Sequence, residues 1–283
     1  MHDEIYAHGI RRALLCAPAG AWSNIDYVAM CGIECFCDDR KLAQLGYKCF
    51  EQNCTVREAL VAHNITALTC SFPDRDRGVV SSAVTFTSLA VALSLVVTRA
   101  IVFAVSRVWG WDDIATGFAT IVMIGNAVCN PISRHYGYGK DIWRLSFSHT
   151  ATVLKVFFIG GIFYTLGVAL VKIAFICFYL KLFPSRGFRK VAYPLLVISI
   201  LYGGTFTFLF IFQCSPISYA WMQWDGVAEG TCLNFDLGAV IHAIVNILLD
   251  IAIFALPLTQ LWGLNLSRKK KIHVMLMFSV GFL

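Results

Sequence analysis

The chain has 283 residues, of which 58% are hydrophobic and only 14% are charged, with a mean hydropathy of +0.69 and a formal net charge of +6. A soluble domain of this length needs more polar residues to cover its surface, so the composition excludes an ordinary soluble protein and predicts a membrane protein with several spans. The basic residues lie in short loops between apolar runs, so membrane topology explains the positive charge and no nucleic-acid partner is expected.

Cysteine is concentrated in the first part of the chain, where seven of the eleven cysteines precede residue 71. This density is typical of a small module in an oxidising compartment, because a core of about 60 residues is rarely stable without crosslinks. Zinc is the alternative, but there is no Cys-x2-Cys pair and no histidine at ligand spacing. We predict an irregular tail at 1–15, without the apolar core of a signal peptide, and a disulfide-stapled module at 16–72 with short helices at 41–47 and 57–63. The disulfide candidates in this part are Cys16, Cys31, Cys35, Cys37, Cys49, Cys54 and Cys70.

Five apolar runs follow, each long enough to cross a hydrocarbon core of about 30 Å as a helix that rises about 1.5 Å per residue. A further apolar run at 272–283 is too short to span and predicts the beginning of a sixth helix. The sequence therefore predicts an all-α membrane protein with a transmembrane helix bundle over residues 79–283. The predicted spans are 79–98 with an extension to about 105, 114–132, 156–180, 191–212 and 237–261.

Lysine and arginine are unevenly distributed between the two sets of loops. The loops that follow the first, third and fifth predicted spans hold ten of them, whereas the opposite side holds six, with none in the loop 213–236. Because cytoplasmic loops carry the excess of basic residues, this distribution predicts that the cysteine-rich module lies outside the cell. An oxidising exterior agrees with the predicted disulfides.

Two of the predicted spans carry polar side chains along one face. We expect these two stripes to meet and Lys172 to pair with Asp250, because an isolated charge inside a bilayer is costly. Three interpretations stay open: a structural lock, a ligand floor or conformational switch, and a proton or ion path. The polar residues are His242, Asn246 and Asp250, spaced four apart on the fifth span, and Tyr164, Lys172 and Tyr179 on the third.

The remaining four cysteines lie in or between the spans. Cys214 and Cys232 lie at the ends of one outer loop, where a bridge would enclose 17 residues, so we predict a disulfide; two free thiols are the alternative. Cys129 and Cys177 lie within apolar runs and are expected to be inert core residues.

No motif with a known catalytic mechanism occurs in the sequence, so we expect no enzymatic activity. The acidic pair in Trp111-Asp112-Asp113 is predicted to cap the second span from a cytosolic turn, because acidic side chains suit a helix N-terminus; a paired-carboxylate site is the alternative. Retinal is not expected either, because a Schiff base needs a lysine aimed into the bundle and the one deep lysine, Lys172, lies in the third span.

Many short motifs match known fungal membrane proteins in order and spacing. The stretch YKCFEQNCTVREAL from Tyr47, followed by NITALTC up to Cys70, resembles the second half of a CFEM domain, a cysteine-rich extracellular module of such proteins. The remainder of the chain resembles the fungal rhodopsin domain family of receptor-like membrane proteins. The motifs that carry this second resemblance include Trp111-Asp112-Asp113, Tyr138-Gly139-Lys140, YLKLFP from Tyr179 to Pro184, QCSP from Gln213, GTC from Gly230, and Asn246 with Asp250.

The resemblance implies a receptor-like protein with seven spans, similar to G-protein-coupled receptors. In the family, the two modules occur together in proteins that are linked to pathogenicity. Two departures bear on partners and cofactors. Haem-binding members have an aspartate just before the Cys-x-Cys pair, where this chain has Glu34 and a more distant Asp26, so no cofactor is expected and haem is the alternative. The inner end of the third span lacks an Asp-Arg-Tyr triplet, so a G protein is expected by analogy alone.

These observations predict a receptor-like protein of the plasma membrane that senses an extracellular or surface cue and relays it through its helices. The alternative is a binding or anchoring protein that captures iron or haem without signalling. A transporter is less favoured, because no inverted repeat is visible. The expected partners are the lipid bilayer, an unidentified ligand and a G protein. Asn64 lies in a glycosylation acceptor sequence on the predicted outer side, whereas Asn265 lies in one on the opposite side.

Overall fold

The structure is a computed structural model that describes Cys37, Lys48, and residues 54–106 and 110–263; every structural statement below refers to these residues. Nearly all of the regular structure in these ranges is helical, and five helices are long and apolar enough to cross a membrane. The predicted all-α membrane fold is therefore confirmed. The elements are α1 (Val56–Thr69), α2 (Gly78–Ser106), α3 (Trp111–His135), α4 (Phe147–Leu182), α5 (Arg186–Ile211), β1 (Cys214–Ser215), α6 (Tyr219–Met222), β2 (Thr231–Cys232) and α7 (Phe235–Gly263).

The helix ends differ from the predicted spans where polar residues flank the apolar runs. The helix α4 begins at Phe147 instead of 156, and its first turns are rich in serine, threonine and histidine. The helix α5 begins at Arg186 instead of 191, because the Ser185 hydroxyl caps it by accepting the Phe188 N–H at 3.3 Å. Hydropathy marks only the part of a helix that suits lipid, so it underestimates the length of a helix that continues into the polar region.

The helix α1 also extends beyond its prediction of 57–63. It begins with a capping box, in which the Thr55 side chain accepts the Glu58 N–H and the Glu58 carboxylate accepts the Thr55 N–H. The predicted helix at 41–47 lies outside the described residues.

One compact unit contains the described residues up to 83, 130–157 and 218–231. In it α1 packs against the two short 3₁₀ turns Ile142–Arg144 and Gln223–Asp225. The rings of His63 and Trp143 stack with their centroids 5.4 Å apart, and the Arg57 guanidinium lies 5.4 Å from the centre of the Phe147 ring. The helix α1, which lies within the predicted module at 16–72, is thus held by a ring contact to Trp143 and a cation–π contact to the first residue of α4.

The same unit contains a close backbone contact before α2. The Arg77 N–H donates to the Gly139 carbonyl at 2.9 Å, and Asp76 and Lys140 form an isolated antiparallel bridge. Gly139 has a φ of +94°, and a Cβ built there would lie 2.5 Å from the Gly78 Cα. The glycine of the Tyr138-Gly139-Lys140 motif is therefore required by both conformation and space.

The second compact unit contains the described residues of 84–129, 158–217 and 232–263. Its core joins α4, α5 and α7 through buried side chains, with Ile176 and Tyr179 on α4 packed against Phe188 on α5 and Ile253 on α7. A Cβ built on Gly203 of α5 would collide with the Ala169 side chain, so small residues let α4 and α5 approach closely.

Candidate functional site

The structure brings Lys172 of α4 and Asp250 of α7 into direct contact. The ammonium of Lys172 donates to Asp250 Oδ1 and, at 3.3 Å, to the Asn246 carbonyl oxygen. The Lys172 side chain is 5% exposed and that of Asp250 is 34% exposed. A buried ammonium inside a span thus has a carboxylate and a backbone carbonyl as partners, which lowers the cost of burying its charge.

Hydrogen bonds extend from this pair along α7 to α5. The Asn246 amide nitrogen donates to Asp250 Oδ2 at 3.3 Å, and the Tyr202 hydroxyl donates to Asn246 Oδ1, also at 3.3 Å. The same hydroxyl lies 2.8 Å from His242 Nε2. We call these five residues, Lys172, Asp250, Asn246, Tyr202 and His242, the polar cluster.

The two tyrosines predicted on the α4 stripe lie outside these hydrogen bonds. Tyr164 is 54% exposed, and its ring centroid is 6.4 Å from that of His242. Tyr179 is 3% exposed and belongs to the apolar core. Tyr202 was not predicted, because the run 191–212 contains two tyrosines, Tyr193 and Tyr202, and no periodic pattern distinguishes the one that faces the bundle.

A cavity of about 620 Å³ lies beside the polar cluster and is lined by α3, α4 and α7. Its polar lining includes Lys172, Asp250 and Asn246, together with Asn126 from α3. Its apolar walls include the rings of Phe163, Phe175 and Phe254. The sequence did not predict this cavity. The contribution of α3 depends on how this helix packs against α4 and α7, and no sequence motif indicates that packing.

A second charged cluster, at the N-terminal end of α3, also escaped prediction. Arg99 donates to both Asp112 and Asp113, and Lys181 lies 3.4 Å from Asp112 Oδ1. The Asp112 side chain is 3% exposed. The Trp111-Asp112-Asp113 motif belongs to the first turn of α3, not to a turn before it, and Asp113 accepts the Gly110 N–H at 3.1 Å. The acidic pair thus lies at the helix N-terminus and also binds two cations from α2 and α4.

A third charged contact lies in the loop before α7. Arg57 of α1 donates to Asp225 Oδ2 through Nη2 at 2.5 Å and through Nε at 3.0 Å. Asp225 is 9% exposed. The Val227 N–H, which donates to Asp225 Oδ1 at 3.1 Å, and the Arg57 guanidinium lower the pKa of this carboxyl, although burial opposes them.

The described cysteines divide into bridged and free thiols. Cys214 and Cys232 form a disulfide across β1 and β2, and Cys37 is bonded to Cys70. Cys54 is also disulfide-bonded. The thiols of Cys129 and Cys177 are free and half-buried. The other candidates, Cys16, Cys31, Cys35 and Cys49, lie outside the described residues.

The other predicted sites are placed as follows. Asn64 lies within α1 and is half-buried, whereas Asn265 lies outside the described residues. Within 54–106 and 110–263, no group of three or more His, Cys, Asp or Glu side chains could hold a metal ion.

Comparison with known proteins identifies relatives of this chain. A SAT4 family membrane protein of Emericella nidulans is 28% identical over 175 residues, which are 61% of this chain and 42% of that protein. The Polyenoic acids biosynthesis gene cluster protein Ba17b of Metarhizium anisopliae is 31% identical over 117 residues, 40% of this chain and 30% of the relative. The Fugralins biosynthesis cluster protein 2 of Gibberella zeae is 27% identical over 154 residues, 52% of this chain and 38% of the relative. The matches cover less than half of the length of these relatives.

No solved structure matches the chain. The model of the fungal rhodopsin domain matches residues 96–283, which include α3, α4, α5 and α7 and therefore every member of the polar cluster. The chain belongs to the fungal rhodopsin domain family of membrane proteins.

Proposed function

We propose that this protein is a receptor-like protein of the plasma membrane, in which an extracellular, CFEM-like module at 16–72 senses an extracellular or surface cue and passes it to the membrane helices. The observation that carries the proposal is the contact between Arg57 of α1 and Asp225 in the loop before α7. A module that acts only as a tether needs no buried contact with such a loop, whereas a sensor needs a connection that changes with its own state.

The contact is suited to this role because it is an ion pair with one buried partner and lies in the loop that leads into a span. Asp225 is buried, whereas the Arg57 side chain is 47% exposed and therefore accessible to a bound ligand. The chain continues from Asp225 through the disulfide-bonded Cys232 into α7, the helix that carries Asp250. A cue that displaces Arg57 would leave a buried carboxylate without its cation, and the loop would have to rearrange.

A rearrangement of the loop that contains Asp225 could change the conformation of the polar cluster. Its hydrogen bonds join three spans, so a shift of α7 changes the partners of Lys172 on α4 and of Tyr202 on α5. A buried pair of this kind has few alternative arrangements, because each charge must keep a partner inside the membrane. The same contacts can therefore serve as a structural lock and as a conformational switch, because they stabilise one conformation until α7 moves.

Two features support an outward-facing module. The bridge Cys37–Cys70 precedes the first apolar helix and the bridge Cys214–Cys232 follows the fourth, so four membrane crossings would bring both to one side, in the oxidising compartment that disulfides need. The excess of basic residues lies in the opposite loops. The proposed inner partner is a G protein, for which the family resemblance is the support.

Hydrogen exchange in the full chain, reconstituted in lipid nanodiscs, tests the relay. Arg57→Ala is expected to increase amide exchange in the loop 218–231 and in the first turns of α7, because the loop loses its buried cation partner. Arg75→Ala is the matched control, since Arg75 is exposed in the same unit and outside α1. If exchange in α7 is the same in both variants, the module does not communicate with α7 through this contact.

A further inference from the structure

The cavity beside the polar cluster is elongated and large enough for a small molecule. Its lining on α4 extends from Phe163 to Tyr179, a distance of about 24 Å at about 1.5 Å per residue. The volume of about 620 Å³ lies within the range of about 300–1,000 Å³ that is usual for small-molecule pockets. We infer that this cavity binds an elongated, uncharged and mainly apolar molecule that carries one hydrogen-bond donor such as a hydroxyl group.

The charge of the ligand follows from the Lys172–Asp250 pair. The ammonium already has a carboxylate partner, so the charged part of the wall is neutral as a unit. A bound anion would lie beside Asp250, and a bound cation would lie beside Lys172. Either ligand would leave one net charge in a low-dielectric site, and an uncharged ligand avoids that cost.

The hydrogen-bond donor follows from the free capacity of Asp250. A carboxylate accepts about four hydrogen bonds, and in the described part of the chain Asp250 accepts one from Lys172 and one from the Asn246 amide. Its side chain is 34% exposed, and it lines the cavity. A hydroxyl group can therefore donate to Asp250 without displacing Lys172, and this hydrogen bond anchors the molecule midway along the cavity.

The apolar body of the ligand follows from the apolar part of the lining, which is larger than the polar part. Three phenylalanine rings, from Phe163, Phe175 and Phe254, and two valines of α4 form the walls. The lining side chains Met123 and Tyr164 are 38% and 54% exposed in the middle of their helices. The cavity is therefore open beside these two side chains, and an apolar molecule can enter it there. This site is independent of the proposed sensing by the outer module.

Photolabelling of the full chain in lipid nanodiscs tests the site. The probe is a long-chain fatty alcohol that carries a diazirine, compared with an alkyl sulfonate and an alkyl trimethylammonium probe of the same length. We expect the alcohol to label the peptides that contain Phe163–Tyr179 saturably, with competition by the unlabelled alcohol and about tenfold less labelling by either charged probe. Labelling that does not saturate would be that of ordinary surrounding lipid and would overturn the inference.

A matched pair of variants locates the site. Val168 lines the cavity, so Val168→Phe should fill it and abolish saturable labelling. Leu166 lies on the same helix, is 36% exposed and does not line the cavity, so Leu166→Phe should leave the labelling unchanged. If Val168→Phe is labelled saturably at the wild-type level, the molecule does not bind in this cavity.

Two charge variants test the reason for the selectivity. Asp250→Asn leaves the Lys172 ammonium without its carboxylate, so the preference should move from the alcohol to the sulfonate probe. Lys172→Met leaves Asp250 alone and should move the preference to the trimethylammonium probe. A merely structural role of the pair would lower labelling by all three probes equally, and an unchanged preference in both variants would contradict the proposed anchor.

Discussion

Asp225 is a single residue whose ionisation stabilises a contact between two distant parts of the sequence. Its carboxylate accepts the Val227 N–H and two hydrogen bonds from Arg57, and these partners favour the charged form. The pKa of Asp225 in the folded protein is therefore lower than in the unfolded chain. Such a group contributes stability that is fully present above the unfolded pKa and is lost as the pH falls towards the folded pKa.

This linkage gives a pH prediction. Asp225→Asn should lower the thermal stability of the purified protein at neutral pH, and the difference from the wild type should shrink as the pH falls below about 4, the usual pKa of an aspartate. Glu229→Gln in the same loop is the control, because Glu229 is exposed and should give no such difference. A difference between Asp225→Asn and the wild type that persists unchanged at about pH 3 would contradict an ionised Asp225 as its origin.

At the scale of the elements, the close approach of Gly139 to Gly78 fixes the segment that leads into α2. An alanine at 139 would have to adopt a positive φ and would collide with the Gly78 backbone, so Gly139→Ala should destabilise the protein by about 1–3 kcal/mol. The measurement is thermal unfolding in detergent. Gly204→Ala is the control, because open space surrounds that position in α5 and alanine favours a helix. Equal stability of the two variants would contradict the close approach.

The helices themselves could be predicted from the sequence to within a few residues, because long apolar runs have few alternatives in a bilayer. The contact of Lys172 with Asp250 could also be expected, because a buried charge needs a partner and few acidic residues lie within the other spans. The start of α4 at Phe147 could not, because its first turns are polar. The hydrogen bonds of Tyr202, the cavity and the Asp112 cluster all depend on which faces of the helices meet. The helix α4, which contributes to the cavity and to the Asp112 cluster, is apolar all round, so its hydrophobic periodicity does not encode its neighbours.

At the scale of the whole molecule, the orientation in the membrane determines which surfaces can receive a cue. Asn64 should carry a glycan and Asn265 should not, because the positive-inside rule places them on opposite sides. Glycosidase treatment of the protein expressed in a eukaryotic host should cause a mass shift that Asn64→Gln abolishes. A shift that is abolished by Asn265→Gln, and not by Asn64→Gln, would reverse the topology.

The Lys172–Asp250 pair joins two membrane-spanning helices, α4 and α7, beside the cavity, and both proposals use it. The most direct measurement is a double-mutant cycle on the folded yield of the full chain. Lys172→Met and Asp250→Asn should each lower the yield strongly, because removing one member of a buried pair costs about 3–5 kcal/mol, and the double variant should recover much of the loss. A double variant whose loss equals the sum of the two single losses would show that Lys172 and Asp250 do not stabilise the bundle as a pair.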